Sequence, residues 1–512
     1  MVLYNDIKKN TYYDSVTLML FSGNLSAAPG VKDASVMMGT DHNKSIMAKA
    51  GILSEEVAAK AGPNDLIVGI LAETEEASEG AVNLLEELFE NKAKAAVTDT
   101  QIKTKTLPSA IRQLGSPNFA VISLPGKYAA NEAMKVMRNN MHVLLFSDNV
   151  SIAEENRLKD YAVEHGLLMM GPDCGTAIIN GVALGFANIV RRGDIGLVAA
   201  AGTGLQEASV LIDRMGGGIS QALGTGGRDV KSEIGGKMML MALQALENDP
   251  GTRVVGIISK PPAADVMQKV VEFTQSMTKP VVACFLGADG AQPQIGAIQF
   301  AQTLEDAAAQ LVQISLGLEQ SPLRAADFTS VIQQEIAQYE PTQKYIRGLY
   351  SGGSLCNESI QLLEQAVGRV YSNIAHDAYA MENVEESAGN TFVDMGDDYF
   401  TDGMPHPMID PRLRMDRIKK EAQDESVAVV LLDCVLGYGS HADPAGALAS
   451  AIEEAKTLSG GRHITYIASV CGTDGDFQNR AVQEETLRKA GVIVANSNAQ
   501  AAKLAAELMK TL

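Results

Sequence analysis

Positive charge is scarce in this sequence. Its 42 Lys and Arg residues are outnumbered by 62 Asp and Glu residues, which leaves a formal net charge of −20. Nucleic acids and anionic membranes both bind basic surfaces, so this composition argues against either as a partner. An anionic small substrate therefore has to be met by local hydrogen-bond donors.

Cysteine is also sparse. The five cysteines form no C-x-x-C pair and have no histidine cluster nearby, which argues against a disulfide framework or a zinc site. We therefore expect neither a metal nor a cofactor. We expect these cysteines to be small buried residues, the usual situation of a free thiol: Cys174, Cys284, Cys356, Cys434 and Cys471.

Long apolar runs are missing. Although 46% of the residues are hydrophobic, no run approaches the roughly 20 residues of a membrane span. The first ten residues lack the apolar core of a signal peptide. We therefore expect a soluble, cytoplasmic protein, and its 512 residues suffice for about three or four domains.

A glycine-rich turn between a strand and an amphipathic helix occurs twice. Unpaired backbone N–H groups and the positive end of a helix converge at such a turn, which suits phosphate and other anions. One such turn is weak evidence, because many bind nothing; two in matching contexts are stronger. The predicted phosphate or carbamoyl-phosphate ligands are Gly202, Thr203 and Gly204 in the first turn, and Ser351, Gly352, Gly353 and Ser354 in the second.

Short apolar strands alternate with helical patterns, which predicts an α/β protein with parallel sheets. We expect a small α+β module with a linker at residues 92–105, a Rossmann-like domain and two further α/β units. Their predicted bounds are 1–105, 106–193, 194–320 and 340–512. The predicted strands are 34–39, 65–71, 119–123, 143–147, 167–170, 195–199, 219–223, 254–259, 280–285, 391–394, 428–432, 464–469 and 492–495.

The third and fourth units look like duplicates of each other. In each, a strand leads into a glycine turn, and a second strand ends in a loop with glycine and aspartate, at residues 224–229 or 395–398. A third strand ends near Lys260 or Asp433. Ligands of open parallel sheets bind beyond the carboxyl ends of the strands. Two such units placed face to face would enclose one anion between two helix N-termini.

At these residues the chain resembles a known family. Residues 171–176, the first glycine turn and the 224–229 loop resemble the α subunit of succinyl-CoA synthetase, and the fourth unit resembles the carboxy-terminal domain of its β subunit. The FdrA family, which fuses these parts, is a closer match. Its typical runs occur at residues 35–40, 146–150, 170–176, 226–229 and 405–411.

This resemblance implies that residues 106–193 form a CoA-binding-type domain. It also implies that the two duplicates are flavodoxin-like domains of the succinyl-CoA-ligase type. The chain departs from the synthetase in its chemistry, because no histidine occurs between His165 and His376, where the synthetase carries its phosphohistidine. The CoA-domain turn at residues 123–130 has a single glycine, and the ATP-grasp domain is missing.

The FdrA resemblance implies a component of oxamate carbamoyltransferase, one of three, in anaerobic allantoin degradation. That enzyme interconverts oxalurate plus phosphate with oxamate plus carbamoyl phosphate. The partners implied are these small anions and the other subunits of the enzyme. Two alternatives stay open: an acid–thiol ligase subunit resembling succinyl-CoA ligase, and a non-catalytic assembly subunit.

Candidate side chains follow from their charge and position. Arg228 lies beside the first turn and can grip an oxyanion with two parallel hydrogen bonds, although an ion pair with Asp229 explains it equally well. His406 stands between two prolines and near cations, which suits proton transfer or polarisation of a carbonyl. We predict Arg228 and His406 as catalytic, and Lys260, Arg412 and Asp433 as substrate-binding candidates.

Overall fold

The structure of this protein is a computed structural model. It describes residues 1–11, 13, 15–26, 28–98, 104–287, 294–323, 327–401 and 404–512. The chain forms two compact units, Met1–Gln113 and Leu114–Leu512. The finer division into four domains stays a prediction.

The first unit holds a three-stranded antiparallel sheet in the order β1-β3-β2. The two strands predicted in this region are confirmed as β2 and β3, whereas β1 was missed because most of its residues are only partly buried and show no clear alternation. Its elements are β1 (Val2–Lys8), α1 (Ser15–Ser26), β2 (Val31–Met38), α2 (Asp41–Lys49), α3 (Glu55–Lys60), β3 (Leu66–Ala72) and α4 (Glu75–Thr98).

The linker predicted at residues 92–105 is helical over its first part. Helix α4 continues to Thr98, and the Lys and Ala residues of residues 92–96 are strong helix formers. Residues 99–103 lie outside the described residues. Helix α5 (Leu107–Leu114) follows them.

The second unit begins with a small parallel sheet. Its three strands pair in the order β4-β5-β6 and confirm the three strands predicted there. The elements are β4 (Phe119–Ile122), α6 (Gly126–Met137), β5 (His142–Leu145), α7 (Ile152–His165) and β6 (Met169–Met170).

The next sheet has eight strands in the order β13-β14-β12-β11-β9-β10-β7-β8. Its parallel strands follow the sequence β10-β9-β11-β12-β14, which is the flavodoxin order 2-1-3-4-5. The elements are β7 (Thr176–Ile179), β8 (Val182–Gly185), β9 (Arg192–Ala199), α8 (Gly202–Arg214), β10 (Ile219–Gly224), α9 (Lys237–Asn248), β11 (Val254–Ser259), α10 (Ala264–Thr274), β12 (Val281–Phe285), β13 (Gln294–Ile295), β14 (Ile298–Ala301) and α11 (Leu304–Leu316).

The last sheet has six strands in the order β16-β17-β15-β18-β19-β20. Its strands β17-β15-β18-β19-β20 repeat the flavodoxin order, so the predicted pair of duplicated domains is confirmed at the level of topology. The elements are α12 (Thr329–Ile336), β15 (Tyr345–Tyr350), α13 (Gly353–Val367), β16 (Tyr371–Ser372), β17 (Thr391–Asp394), α14 (Asp398–Thr401), α15 (Arg412–Glu421), β18 (Val427–Val435), α16 (Pro444–Leu458), β19 (Thr465–Cys471), α17 (Arg480–Lys489), β20 (Ile493–Ala495) and α18 (Asn498–Met509).

Two central strands, β11 in one large sheet and β18 in the other, are buried along their whole length, as expected when helices cover both faces of a parallel sheet. All five cysteines are free and buried, as predicted. Among the described helices, none is both long and apolar enough to cross a membrane.

A short segment after β8 ties the two flavodoxin-like domains together. Asn188 donates from Nδ2 to the carbonyl of Leu436 at 3.0 Å and to the carboxylate of Asp476 at 2.8 Å. Ala187 also forms an antiparallel bridge with Tyr438. The surface between the two domains is therefore part of one compact unit, and the carboxyl ends of both sheets can contribute to one site.

Candidate functional site

The two glycine turns lie face to face, as the sequence predicts. Helix α8 begins at Gly202 and helix α13 at Gly353. Ser354 N donates to Thr203 Oγ1 at 3.4 Å. A Cβ atom on Gly352 would lie only 2.7 Å from Thr203 Cγ2, so a side chain larger than hydrogen would push the two turns apart.

The second turn already holds a carboxylate. Asp433, on β18, is fully buried and accepts hydrogen bonds from Ser351 N and Gly352 N, both at 2.9 Å. Arg414 Nη2 lies 2.7 Å from Asp433 Oδ1 and completes the neutralisation of the carboxylate. Two of the N–H groups that we expected to bind a ligand are thus engaged by the chain itself. Asp433 thus binds the two N–H groups that precede helix α13, and its role as a substrate ligand stays a prediction.

The first turn has no such internal partner. In the register of the two sheets, Ile258 stands where Asp433 stands, and its Cγ2 atom would lie 3.1 Å from a Cβ on Gly204. The N–H groups of Gly202, Thr203 and Gly204 receive no hydrogen-bond acceptor from the described residues. These donors at the start of helix α8 suit an anion, and Gly202 is exposed.

Asp394, which the sequence analysis did not select, lies beside the second turn. It is the last residue of β17 and only 9% exposed. Its Oδ1 accepts a hydrogen bond from Gly396 N at 3.0 Å, and a Cβ on Gly353 would lie 2.3 Å from its Oδ2. Burial raises the pKa of Asp394 to about 7. The only signal in the sequence was its place at the end of a strand next to a glycine-containing loop.

His406 belongs to the same neighbourhood. Its Nδ1 accepts a hydrogen bond from Met408 N at 3.2 Å, which leaves the ring proton on Nε2 in the neutral imidazole. A Cβ on Gly396 would lie 2.8 Å from that Nε2. The ring also packs on Phe186, with the centroids 5.6 Å apart. Burial lowers the pKa of His406 to about 4, so the ring is a neutral donor at pH 7.

Lys260 follows β11 at the carboxyl edge of the first domain. Its side chain is exposed and makes no hydrogen bond with the described residues. Its positive charge is felt across the surface between the domains, where it lowers the pKa of Asp394 and of Cys356, although burial dominates both groups. Lys260 therefore provides positive charge near the paired turns.

Arg228, in the loop after β10, is bound by other residues of the chain. Its Nε lies 2.9 Å from Glu155 Oε2, and its Nη2 donates to the carbonyl of Val150 at 2.8 Å. Glu155 is itself part of a fully buried network with Lys159 and Asp229, at 2.8 and 2.9 Å. Asp229, the expected partner of Arg228, pairs with Lys159 instead. It also accepts a hydrogen bond from Met239 N at 2.8 Å and so caps helix α9.

The structure thus brings together Gly202, Thr203, Gly204, Gly352, Gly353, Ser354, His406 and Lys260, and adds Asp394. Among the described residues, no hydrogen bond, ion pair or ring contact joins Arg228 to His406, and their shared role stays a prediction. Arg412 is half exposed and pairs with Asp410 at 2.6 Å. Its role as a substrate ligand is likewise untested.

Two buried glutamates lie one turn into the helices that begin at the glycine turns. Glu358 Oε1 accepts a hydrogen bond from Leu304 N at 2.7 Å, at the start of α11. Glu207 Oε1 accepts one from Asn498 N at 3.2 Å, at the start of α18. Each domain therefore caps the last helix of the other. Burial raises the pKa of Glu358 to about 7, and the pKa of Glu207 is raised for the same reason.

Three family models match the chain. A model described as the heavy metal-associated domain of AllF covers residues 1–105, a CoA binding domain covers residues 191–287, and a CoA-ligase covers residues 349–508. The CoA binding match falls on the segment that we assigned to the first ligase-like domain. The matches to CoA binding and CoA-ligase models agree with the predicted likeness to succinyl-CoA synthetase.

Similar proteins span different shares of the chain. "Uncharacterized protein YahF" of Escherichia coli (strain K12) is 45% identical over 98% of this chain and 98% of that protein. Succinate–CoA ligase [ADP-forming] subunit alpha 2 of Archaeoglobus fulgidus is 26% identical over 36% of this chain and 63% of that subunit. A structure of Ca. Korarchaeum cryptofilum dinucleotide-forming acetyl-coenzyme A synthetase 1 with phosphate and ADP covers 80% of this chain and 86% of that one, with 14% identity and a TM-score of 0.34.

Fold and sequence matches define a multidomain α/β protein of the succinyl-CoA-ligase-like class, with CoA-binding and CoA-ligase parts in one chain. The chain belongs to the same family as the YahF protein of Escherichia coli.

The description of residues 1–105 as heavy metal-associated raises the question of a metal. Thiolates are the ligands that soft heavy metals prefer, and the first cysteine of the chain is Cys174. The described residues also contain no group of three or more His, Cys, Asp or Glu side chains placed to hold a metal ion. The residues of this segment do not fit such a metal, and we derive no chemistry from one.

Proposed function

We propose that this chain is a component of oxamate carbamoyltransferase. In that role it interconverts oxalurate and phosphate with oxamate and carbamoyl phosphate, together with other subunits, in anaerobic allantoin degradation. The transfer needs no covalent enzyme intermediate. Donors must hold the phosphate, align it with the carbamoyl carbon and stabilise the oxyanion that develops there.

The observation that carries this proposal is the difference between the two glycine turns. A buried carboxylate, Asp433, lies at the second turn and accepts from Ser351 N and Gly352 N, whereas no carboxylate among the described residues lies in the equivalent place at the first turn, where the N–H groups of Gly202, Thr203 and Gly204 have no acceptor. Preorganised N–H donors of this kind are worth about 3 kcal/mol each in well-studied oxyanion sites. The neutral Nε2–H of His406 and the charge of Lys260 lie at the same junction of the two domains.

Two further points favour phosphate itself as the reacting anion. No histidine lies between His165 and His376, so the chain has no counterpart of the synthetase's phosphohistidine. Residues 288–293 of this stretch lie outside the described residues. The match of residues 1–105 to an AllF domain model supports the link to allantoin breakdown that the FdrA resemblance implies.

The direct test is phosphorolysis of oxalurate. The chain is co-purified with the products of neighbouring genes, and carbamoyl phosphate formation is followed with and without phosphate. We expect turnover by the assembled enzyme and little or none by the single chain. Assembled enzyme without phosphate-dependent turnover would overturn the proposal, and full activity of the single chain would overturn the need for partners.

Ligand binding gives a second test that needs no turnover. We expect calorimetry and thermal shifts to detect phosphate and carbamoyl phosphate but not CoA or ATP. Lys260→Ala should weaken phosphate binding about tenfold, roughly 1.4 kcal/mol. The matched control is Lys489→Ala, because Lys489 is also exposed but ends α17 at the opposite edge of its sheet. Tight CoA or ATP binding with no response to phosphate contradicts the proposal.

A second candidate is a subunit of an acid–thiol ligase. The matches to the CoA binding and CoA-ligase models favour it. It predicts saturable CoA binding by the full chain and CoA-thioester formation once an ATP-using partner is added. The same calorimetric series therefore separates the two functions.

A further inference from the structure

Asp394 is a buried carboxyl group at the junction of the turns. One of its two oxygens has no hydrogen-bond donor among the described residues. Asp394 is 9% exposed, and its Oδ1 accepts the Gly396 N–H at 3.0 Å. Its Oδ2 accepts no hydrogen bond from the described residues and reaches the start of α13, where a Cβ on Gly353 would come within 2.3 Å. Because this oxygen has no donor within the described residues, it is available to a proton or a ligand.

Asp433, its neighbour at the same helix end, differs in every respect. Asp433 has three donors from Ser351 and Gly352 and an ion pair with Arg414 at 2.7 Å. The helix end therefore has its structural carboxylate already. Asp394, by contrast, has one hydrogen-bond donor to its carboxyl group and no ion pair among the described residues.

Charged and titratable groups from several elements face Asp394. Burial raises its pKa to about 7; Asp397 and Asp433 add to the rise, while Gly396 N–H and Lys260 oppose it. The remaining neighbours are neutral near pH 7, because burial raises the pKa of the Cys356 thiol far above its usual value and lowers that of His406 to about 4. Asp394 therefore exchanges a proton near neutral pH at the junction of the two turns.

We infer that Asp394 carries the proton in the carbamoyl transfer, as general acid towards the oxamate nitrogen and as general base towards phosphate. This inference rests on the proposed function. An oxygen of hydrogen phosphate bonds to the carbamoyl carbon of oxalurate, and the bond from that carbon to the oxamate nitrogen breaks. The bonding pair stays on nitrogen, which takes the proton of the Asp394 carboxyl group. The proton of hydrogen phosphate then passes to the Asp394 carboxylate, so the group is restored and nothing is oxidised or reduced.

The test compares two aspartates in one loop region of the assembled enzyme. Asp394→Asn keeps an acceptor for Gly396 N–H but cannot shuttle a proton, and we expect turnover to fall by at least about 100-fold. Phosphate affinity should change less than about threefold. Asp397→Asn is the control and should keep turnover within about threefold. Because it removes a negative neighbour of Asp394, it should also shift the limb of the pH–rate profile near neutrality to lower pH. Asp394→Ser serves as a second variant if the asparagine variant melts early.

Turnover above a tenth of wild type in Asp394→Asn, or an unchanged pH limb near neutrality, overturns the role of Asp394. A wild-type complex without turnover would instead contradict the proposed function. In that event, the role of Asp394 is tested by the protons that the chain takes up when phosphate binds. Calorimetry with inorganic phosphate in buffers of different ionisation enthalpy measures the protons taken up on binding. We expect uptake by the wild-type chain and its loss in Asp394→Asn; equal uptake by both would refute the inference.

Discussion

The internal neutralisation of the second glycine turn makes a strong prediction about one arginine. Arg414, on α15, is 4% exposed and lies 2.7 Å from Asp433 Oδ1. It also donates to the carbonyls of Leu349 at 2.8 Å and Asp433 at 2.6 Å. Arg414→Ala removes all of these contacts and leaves the buried carboxylate of Asp433 without its cation.

Removal of one partner of a buried ion pair costs about 3–5 kcal/mol, because the remaining charge stays buried and uncompensated. Orphaned carbonyls add about 1–3 kcal/mol each, although these losses do not sum. We therefore expect Arg414→Ala to lower the free energy of unfolding by at least about 3 kcal/mol. The measurement is urea unfolding followed by circular dichroism, at equal protein concentrations.

Arg412 provides a matched control two residues away on the same helix. Its guanidinium is 48% exposed and pairs with the partly exposed Asp410. Exposed ion pairs contribute about 0–1 kcal/mol, so Arg412→Ala should change the free energy of unfolding by no more than that. Equal losses in the two variants would refute our reading of the second turn as a site that the chain fills with its own charge.

Two further predictions concern catalysis and pH. Arg228→Ala and His406→Ala should each lower turnover of the assembled enzyme at least about tenfold, and the double variant should lose less than the product if both act on one transition state; wild-type rates would contradict this. Because the folded-state pKa of Glu358, about 7, lies above its ordinary value of 4.5, stability should fall as pH rises between those values. Urea unfolding of Glu358→Gln should therefore give a flatter curve of stability against pH over that range, and a parallel curve would contradict the raised pKa.

The sequence predicts much of this fold because its strands are continuous apolar runs. β11 and β18 are buried at every position and were predicted as strands, with β11 recovered to the residue. Strand β1 and the hairpin of β7 and β8 were missed. β8 is mostly exposed and β1 only partly buried, so neither shows the alternation or the apolar run from which a strand is predicted.

The site was predictable only in part. Glycines in a strand-to-helix turn can be seen in the sequence, and both turns indeed meet. Only the second turn has a buried carboxylate beside it among the described residues, because β18 places Asp433 where β11 places Ile258, and that is a matter of strand register. Asp394 escaped notice for a similar reason, since its importance comes from a missing hydrogen-bond donor rather than from a motif.

The exchange of glutamate caps between the two flavodoxin-like domains has a consequence for symmetry. Glu207 reaches Asn498 in the second domain, and Glu358, its counterpart, reaches Leu304 in the first. A contact in which residue i of one copy meets residue j of the other, and j meets i, is the defining property of a twofold interface. The pairing of the two domains is therefore one that a single ancestral domain could make with itself. The glycine turns do not share this symmetry, because Asp433 lies beside the second and has no counterpart beside the first among the described residues.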